Sequence, residues 1–253
     1  MSDSARRRIR VLRDEEWRVC QACPLHENRH GARQQLDIAG GHALRGGERP
    51  YIMFVVAGQS NDIWRRGVDG APSSQPWMTQ AESAGVDFSR CLITTEVLCP
   101  TVDVEEAGSF RMKDYFTKAK APEIASCSLR LTHEVHLAQP RLIVTLGQNA
   151  LRSFAGPKSS GWFTHSMYQI VEVDNPGNIV DYKVPVFIMP DAWAPYREVD
   201  ISPRGLWAKM YAGFRTAWFI ATAHEILNNN IIEDPERLVA EITDTVLRKG
   251  DDR

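Results

Sequence analysis

Four short stretches of this chain are apolar almost without interruption, and a glycine, proline or cysteine closes each of them. They are Tyr51–Ala57, which stops at Gly58; Cys91–Leu98, which stops at Cys99; Arg141–Leu146, which stops at Gly147; and Val184–Met189, which stops at Pro190. A strand with one face in water alternates apolar and polar residues, whereas a strand covered on both faces reads as a continuous apolar run. Segments with helical patterning lie between these runs. Ala125–Gln139 offers Leu129, Val135 and Leu137 as apolar anchors, and Gln148–Ala155 begins directly after a glycine. Strands alternating with helices predict an α/β fold, three layers deep (α/β/α), around a central, mostly parallel four-stranded sheet. Tyr168–Val173 and Ile179–Tyr182 flank Asn175-Pro-Gly-Asn178, which predicts a hairpin.

The ends of the chain read as helical. Arg6–Trp17 is charged and precedes a Gly-rich stretch, Gly31–Gly47, that reads as loop. Near the other end Trp207, Tyr211, Phe214 and Trp218 recur at i, i+4, i+7 and i+11, a spacing that predicts one buried helix face. Asp234-Pro235 caps a last helix carrying Leu238, Ile242 and Val246. The expected organisation is one domain over 1–205, with 206–253 a C-terminal helical extension packed on it. At 253 residues and 43% hydrophobic content the chain can bury a sizeable core. A formal net charge of −2 excludes a bulk polyanion binder, so any nucleic-acid surface is local. No apolar run approaches a membrane span, and the basic N-terminus lacks the apolar stretch of a secretory signal. A cytoplasmic monomer without membrane attachment is the expectation.

In a cytosolic chain of this size, the five cysteines are better read as ligands or redox groups than as disulfide staples. Cys20 and Cys23 form a C-x-x-C pair, Cys99 follows a predicted strand, and Cys127 opens a predicted helix. Cys91 lies inside a strand run and reads as a buried structural thiol. A C-x-x-C pair with two distant cysteines suits zinc or a [4Fe–4S] cluster, and spacing alone leaves four unrelated thiols open as well.

The surrounding residues narrow the choice. Cys20-Gln-Ala-Cys23-Pro-Leu25 is similar to C-x-x-C-x-L; Ile93-Thr-Thr-Glu-Val-Leu-Cys99 to I-T-N-x-x-x-C; Glu123-Ile-Ala-Ser-Cys127 to E-x-x-x-C; and Pro140-Arg-Leu-Ile-Val-Thr-Leu-Gly-Gln-Asn-Ala150 to P-x-x-I-V-x-L-G-x-x-A. In that order, over about Cys20 to Arg197, the chain resembles the iron–sulfur branch (families four and five) of the uracil-DNA glycosylase superfamily. The resemblance implies a structural [4Fe–4S] cluster on Cys20, Cys23, Cys99 and Cys127, DNA as partner, and hydrolysis of an N-glycosidic bond. The segment between Cys99 and Cys127 looks longer than the family's.

A parallel sheet binds ligands beyond the carboxyl ends of its strands. A glycosylase flips its base into such a pocket and must then activate water and stabilise the departing base. The family's first motif, G-E-x-P-G or a relative, corresponds to Gly58-Gln59-Ser60-Asn61-Asp62. Gln59 stands at the acidic position and cannot act as a base; Asn61 could position water, and Asp62 could take the base role or cap a helix. Ser60 adds a polar group to the base pocket. The stacking aromatic of the family's P-F pair corresponds to Trp77, for which a core role is the alternative. The base-reading Asn corresponds to Thr95, and the H-P-x motif to Met189-Pro190-Asp191, where Asp191 could accept from a substrate hydroxyl or amine or cap a turn. Loss of the acid, the Asn and the His together argues against ordinary uracil: either the substrate is changed, such as a hydroxymethylated or glucosylated cytosine in phage DNA, or the site is dead and the chain only binds DNA, with uracil excision in base-excision repair the remaining alternative. Tyr196 and Arg197 occupy the family's duplex-inserting position. Arg111, Lys113, Lys118 and Lys120 could meet phosphates or form a solvated loop.

Overall fold

The computed structural model describes residues 20–29, 50–56, 74–99, 101, 119–173, 184–192, 194 and 205–229. In chain order the elements are β1 (Ile52–Val56), α1 (Gln75–Ser83), β2 (Cys91–Thr95), α2 (Ala121–Ala138), β3 (Leu142–Leu146), α3 (Gln148–Ala155), α4 (Ser159–His165), β4 (Ile170–Val173), β5 (Val184–Met189) and α5 (Leu206–Asn229). The strands form one five-stranded sheet in the order β2-β1-β3-β5-β4. β1, β2, β3 and β5 run parallel, and β4 pairs antiparallel with β5 at the edge.

The apolar runs are continuous because both sheet faces are covered, and side chains alternate between two cores. Phe54, Ile93, Val144 and Phe187 point to one side, where they meet Trp77 and Met78 of α1 and Met210, Phe214 and Ala217 of α5. Met53, Val55, Ile143 and Ile188 point to the other, against Leu131 and Val135 of α2 and Leu151 and Phe154 of α3. The fold is therefore the expected three-layer α/β/α arrangement. The sheet has five strands rather than four because Ile170–Val173 adds an edge strand. That strand pairs with β5 itself, register Val173↔Val184, and not with the expected second arm, Ile179–Tyr182, which lies outside the described residues. Also outside are the expected helices over Arg6–Trp17 and from Asp234 onward.

Two helix faces differ from expectation. In α2 the residues facing the sheet are Leu131, Val135 and Ala138, while Leu129 is 54% exposed. In α5 the buried stripe is Met210, Phe214, Ala217 and Ala221, with Tyr211 turned outward and Trp218 only partly buried. Apolar and small residues recur on every side of α5, so large side chains alone do not define its inner face. Small residues do: a Cβ at Gly213 would lie 2.9 Å from Met189 Cε and 3.0 Å from the Tyr168 ring, so the helix approaches the sheet along its small side. The segment expected as an extension is thus a covering layer of the main core. None of the helices among the described residues is long and apolar enough to cross a membrane.

The α2 boundaries follow from local chemistry. Pro122 sits in the first turn, and the Glu123 carboxylate accepts from the Lys120 backbone N–H at 2.6 Å. At the other end Gln139 takes a left-handed conformation (φ 45°) immediately before Pro140. The four parallel strands end at one edge of the sheet, with Val56 level with Thr95 and Leu146, and Leu146 level with Met189. The chain leaves β1 towards β2 and then returns to β3 on the other side of β1, which puts the topological switch point between the carboxyl ends of β1 and β3.

Candidate metal centre and the neighbouring crevice

Three separate segments converge beside the carboxyl end of edge strand β2. The N-terminal stretch brings Cys20 and Cys23, the turn after β2 brings Cys99, and the second turn of α2 brings Cys127. All four cysteines line one cavity of about 420 Å³, together with Leu98, Leu129, Arg130 and His133. Leu25, Val97, Ala119 and Ile124 form a small apolar cluster behind the thiols. Asn149, at the start of α3, donates its side-chain amide to the Ala119 carbonyl at 2.9 Å and ties that wall to α3. Cys91 lies apart, fully buried in the core, and its thiol donates to the Asp87 carbonyl.

The thiols sense one another. Burial pushes the Cys23 thiol up, a backbone hydrogen bond at Leu25 opposes this, and the Cys127 and Cys20 sulfurs and Glu123 push it further up. Mutual repulsion of this kind is what a bound cation relieves, with release of the thiol protons. Among the described residues no group of three or more His, Cys, Asp or Glu is placed to hold a metal ion. Four thiolates around one cavity suit zinc or an iron–sulfur cluster. Four soft sulfur donors fit an iron–sulfur cluster.

Beside the cavity, α2 carries a buried ion pair. Arg130 Nη1 lies 3.1 Å from Glu134 Oε2, with the two side chains 5% and 0% exposed. Burial lowers the Arg130 pKa, but the Glu134 carboxylate and the Cys127 sulfur outweigh it and the net shift is upward, so the guanidinium stays charged. The sequence reading missed this pair. An Arg and a Glu one turn apart on a helix read as a surface pair, and the only signal was their position between Cys127 and the buried Val135. Glu96, a fully buried carboxylate at the carboxyl end of β2, was also missed.

The expected base-binding residues are placed unequally. Asp191 is buried directly after β5, at the strand ends, where its carbonyl accepts from the Ala194 N–H at 2.8 Å. Thr95 is fully buried at the end of β2, but its hydroxyl donates to the Val97 carbonyl at 2.5 Å and closes the turn towards Cys99. Trp77 requires correction. It is 2% exposed on α1, and its ring lies among Phe54, Phe88 and Phe214 with centroid separations of 5.7, 5.8 and 6.3 Å. An indole enclosed in this way packs the core and presents no face to a base. Gln59, Ser60, Asn61 and Asp62 follow β1 in sequence and lie outside the described residues, as do Arg111, Lys113, Lys118, Tyr196 and Arg197; Lys120 is described and caps α2 through its backbone.

No protein-family model matches the chain, and no curated protein matches it significantly.

Proposed function

We propose that this protein is a monofunctional DNA glycosylase of the iron–sulfur branch of the uracil-DNA glycosylase superfamily, acting as a cytoplasmic monomer on a modified pyrimidine. One observation carries the reading. Cys20, Cys23, Cys99 and Cys127, the residues that the four motifs single out, line a single cavity although they come from three segments of the chain. In the proposal these thiolates hold a [4Fe–4S] cluster that acts structurally, fastening the N-terminal segment and the turn after β2 to α2. The parallel sheet then offers its carboxyl edge, with Asp191 on one side and the end of β2 on the other, as the walls of a base pocket.

In this reading Asn61 orients the attacking water and Asp62 accepts its proton, both from the segment that follows β1 in sequence. Gln59 and Ser60 supply polar contacts to the base or sugar, and Asp191 accepts from an exocyclic amine or hydroxyl. Arg197, Tyr196, Arg111 and Lys113 contact the DNA. With Gln59 in place of an acid, Thr95 in place of an amide and Met189 in place of a histidine, the pocket suits hydroxymethylcytosine or its glucosylated form better than uracil, a substrate consistent with defence against phages. A second reading, a DNA-binding member without excision activity, is favoured by one observation: Trp77 is committed to packing and the Thr95 hydroxyl to a turn.

The test is incubation with matched duplexes carrying uracil, hydroxymethylcytosine or glucosylated hydroxymethylcytosine, followed by alkaline cleavage at abasic sites and mass spectrometry of released bases. Release of a modified cytosine, lost in Asp62→Asn, is the expected result. Excision of uracil alone overturns the altered substrate. Tight DNA binding without excision of any base selects the second reading.

A further inference from the structure

Arg130 is among the residues lining the cysteine cavity, and it is nine-tenths buried. Its Nη1 donates to Thr94 Oγ1 at 2.8 Å, and its Nη2 donates to the Thr95 carbonyl. These are the last two residues of β2, at the carboxyl ends of the parallel strands. The same guanidinium pairs with Glu134 at 3.1 Å and shares the cavity wall with Cys127. Its Nε–H has no hydrogen-bond partner among the described residues, an orphan donor on a residue that lines the cavity. One planar cation therefore lines the cysteine cavity and holds the carboxyl end of β2. A guanidinium can do this because its donors are held in a rigid fork; an ammonium is a point charge on a flexible stem.

We propose that Arg130 is a positioning residue that couples the metal centre to the nucleobase crevice: it places a fixed positive charge at the wall of the thiol cavity, offsets the negative charge that the four thiolates bring, and locks the carboxyl end of β2 to α2. This inference rests on the iron–sulfur reading of the four cysteines. Net charge, hydrogen bonds to sulfur and solvent exposure set the reduction potential of such a cluster. A cation at the cavity wall favours the more negative, reduced state, so removing Arg130 lowers the potential.

The experiment begins with iron content and visible absorbance of the anaerobically purified wild-type chain. An iron-free, folded wild type overturns the iron–sulfur reading itself, before Arg130 is altered. With the cluster present, film voltammetry compares the wild type with Arg130→Gln and Arg130→Lys. Arg130→Gln is expected to disfavour reduction at least tenfold, about 59 mV for one electron, and Arg130→Lys, which keeps the charge, to recover most of that shift. Hydrogen exchange over 91–99 is expected to rise in Arg130→Gln. If Arg130→Gln does not fold, because Glu134 is left buried and uncompensated, the double variant Arg130→Gln/Glu134→Gln removes the pair together. Its shift is expected to be smaller but of the same sign. An unchanged potential in the folded variants overturns the proposal even if exchange rises, since a merely structural arginine would loosen β2 without moving the potential.

Discussion

Trp77 and Cys91 show how a single side chain is read by its surroundings. The Trp77 ring is enclosed by three phenylalanines, so Trp77→Ala is expected to cost about 3–5 kcal/mol of stability in urea unfolding. A base-stacking tryptophan would instead leave stability intact and weaken DNA binding. Cys91 titrates in the opposite sense to a reactive thiol. Burial pushes its pKa well up, the Asp87 carboxylate adds to this, and a backbone hydrogen bond at Ile52 opposes it. The folded chain therefore keeps this proton at pH values where the unfolded chain, with a thiol pKa of about 8.5, has lost it. Native protein binds more protons, so stability falls as pH rises through that value, by up to about 1.4 kcal/mol per pH unit. Burial raises the Tyr168 phenol as well, which adds the same trend at higher pH. Unfolding measured at pH 7, 8.5 and 9.5 is expected to show a shallower decline for Cys91→Val than for the wild type. The two are expected to contain equal iron.

Among the elements, α5 is decided by its smallest residues. Replacing Gly213 with alanine gains about 1 kcal/mol of helix propensity. The new Cβ, however, meets Met189 Cε at 2.9 Å and the Tyr168 ring at 3.0 Å. The methionine end can swing aside, but the ring is held between α5 and the sheet. Overpacking of this kind costs roughly 1–3 kcal/mol, so Gly213→Ala is expected to lower the urea midpoint slightly and not to raise it. Two strands, Val184–Met189 and Leu142–Leu146, and the helix Gln148–Ala155 coincide closely with their sequence patterns, because Gly147 and Pro190 bound them locally. The inner face of α5 and the outward Leu129 of α2 were misjudged for one shared reason. When apolar residues surround a helix, the partner surface chooses the face, and that surface is remote in sequence.

For the whole molecule, the thiol cavity joins chain segments that the sheet leaves separate. Cys99→Ser is expected to lose the visible absorbance and most of the iron, and to lower thermal stability, while Cys91→Val keeps both; iron assay with melting curves separates the two. The continuous apolar runs, the glycine and proline boundaries and the cysteine motifs determined the layered α/β class, the strand positions and the four candidate ligands, because burial on both faces and turn chemistry are recorded locally in residue type. Only the tertiary structure decided that those cysteines share one cavity, that Arg130 and Glu134 are buried beside it, and that Trp77 belongs to the core. Each of these depends on which segments the chain's path brings together, and the spacing of residues along the chain does not encode that path.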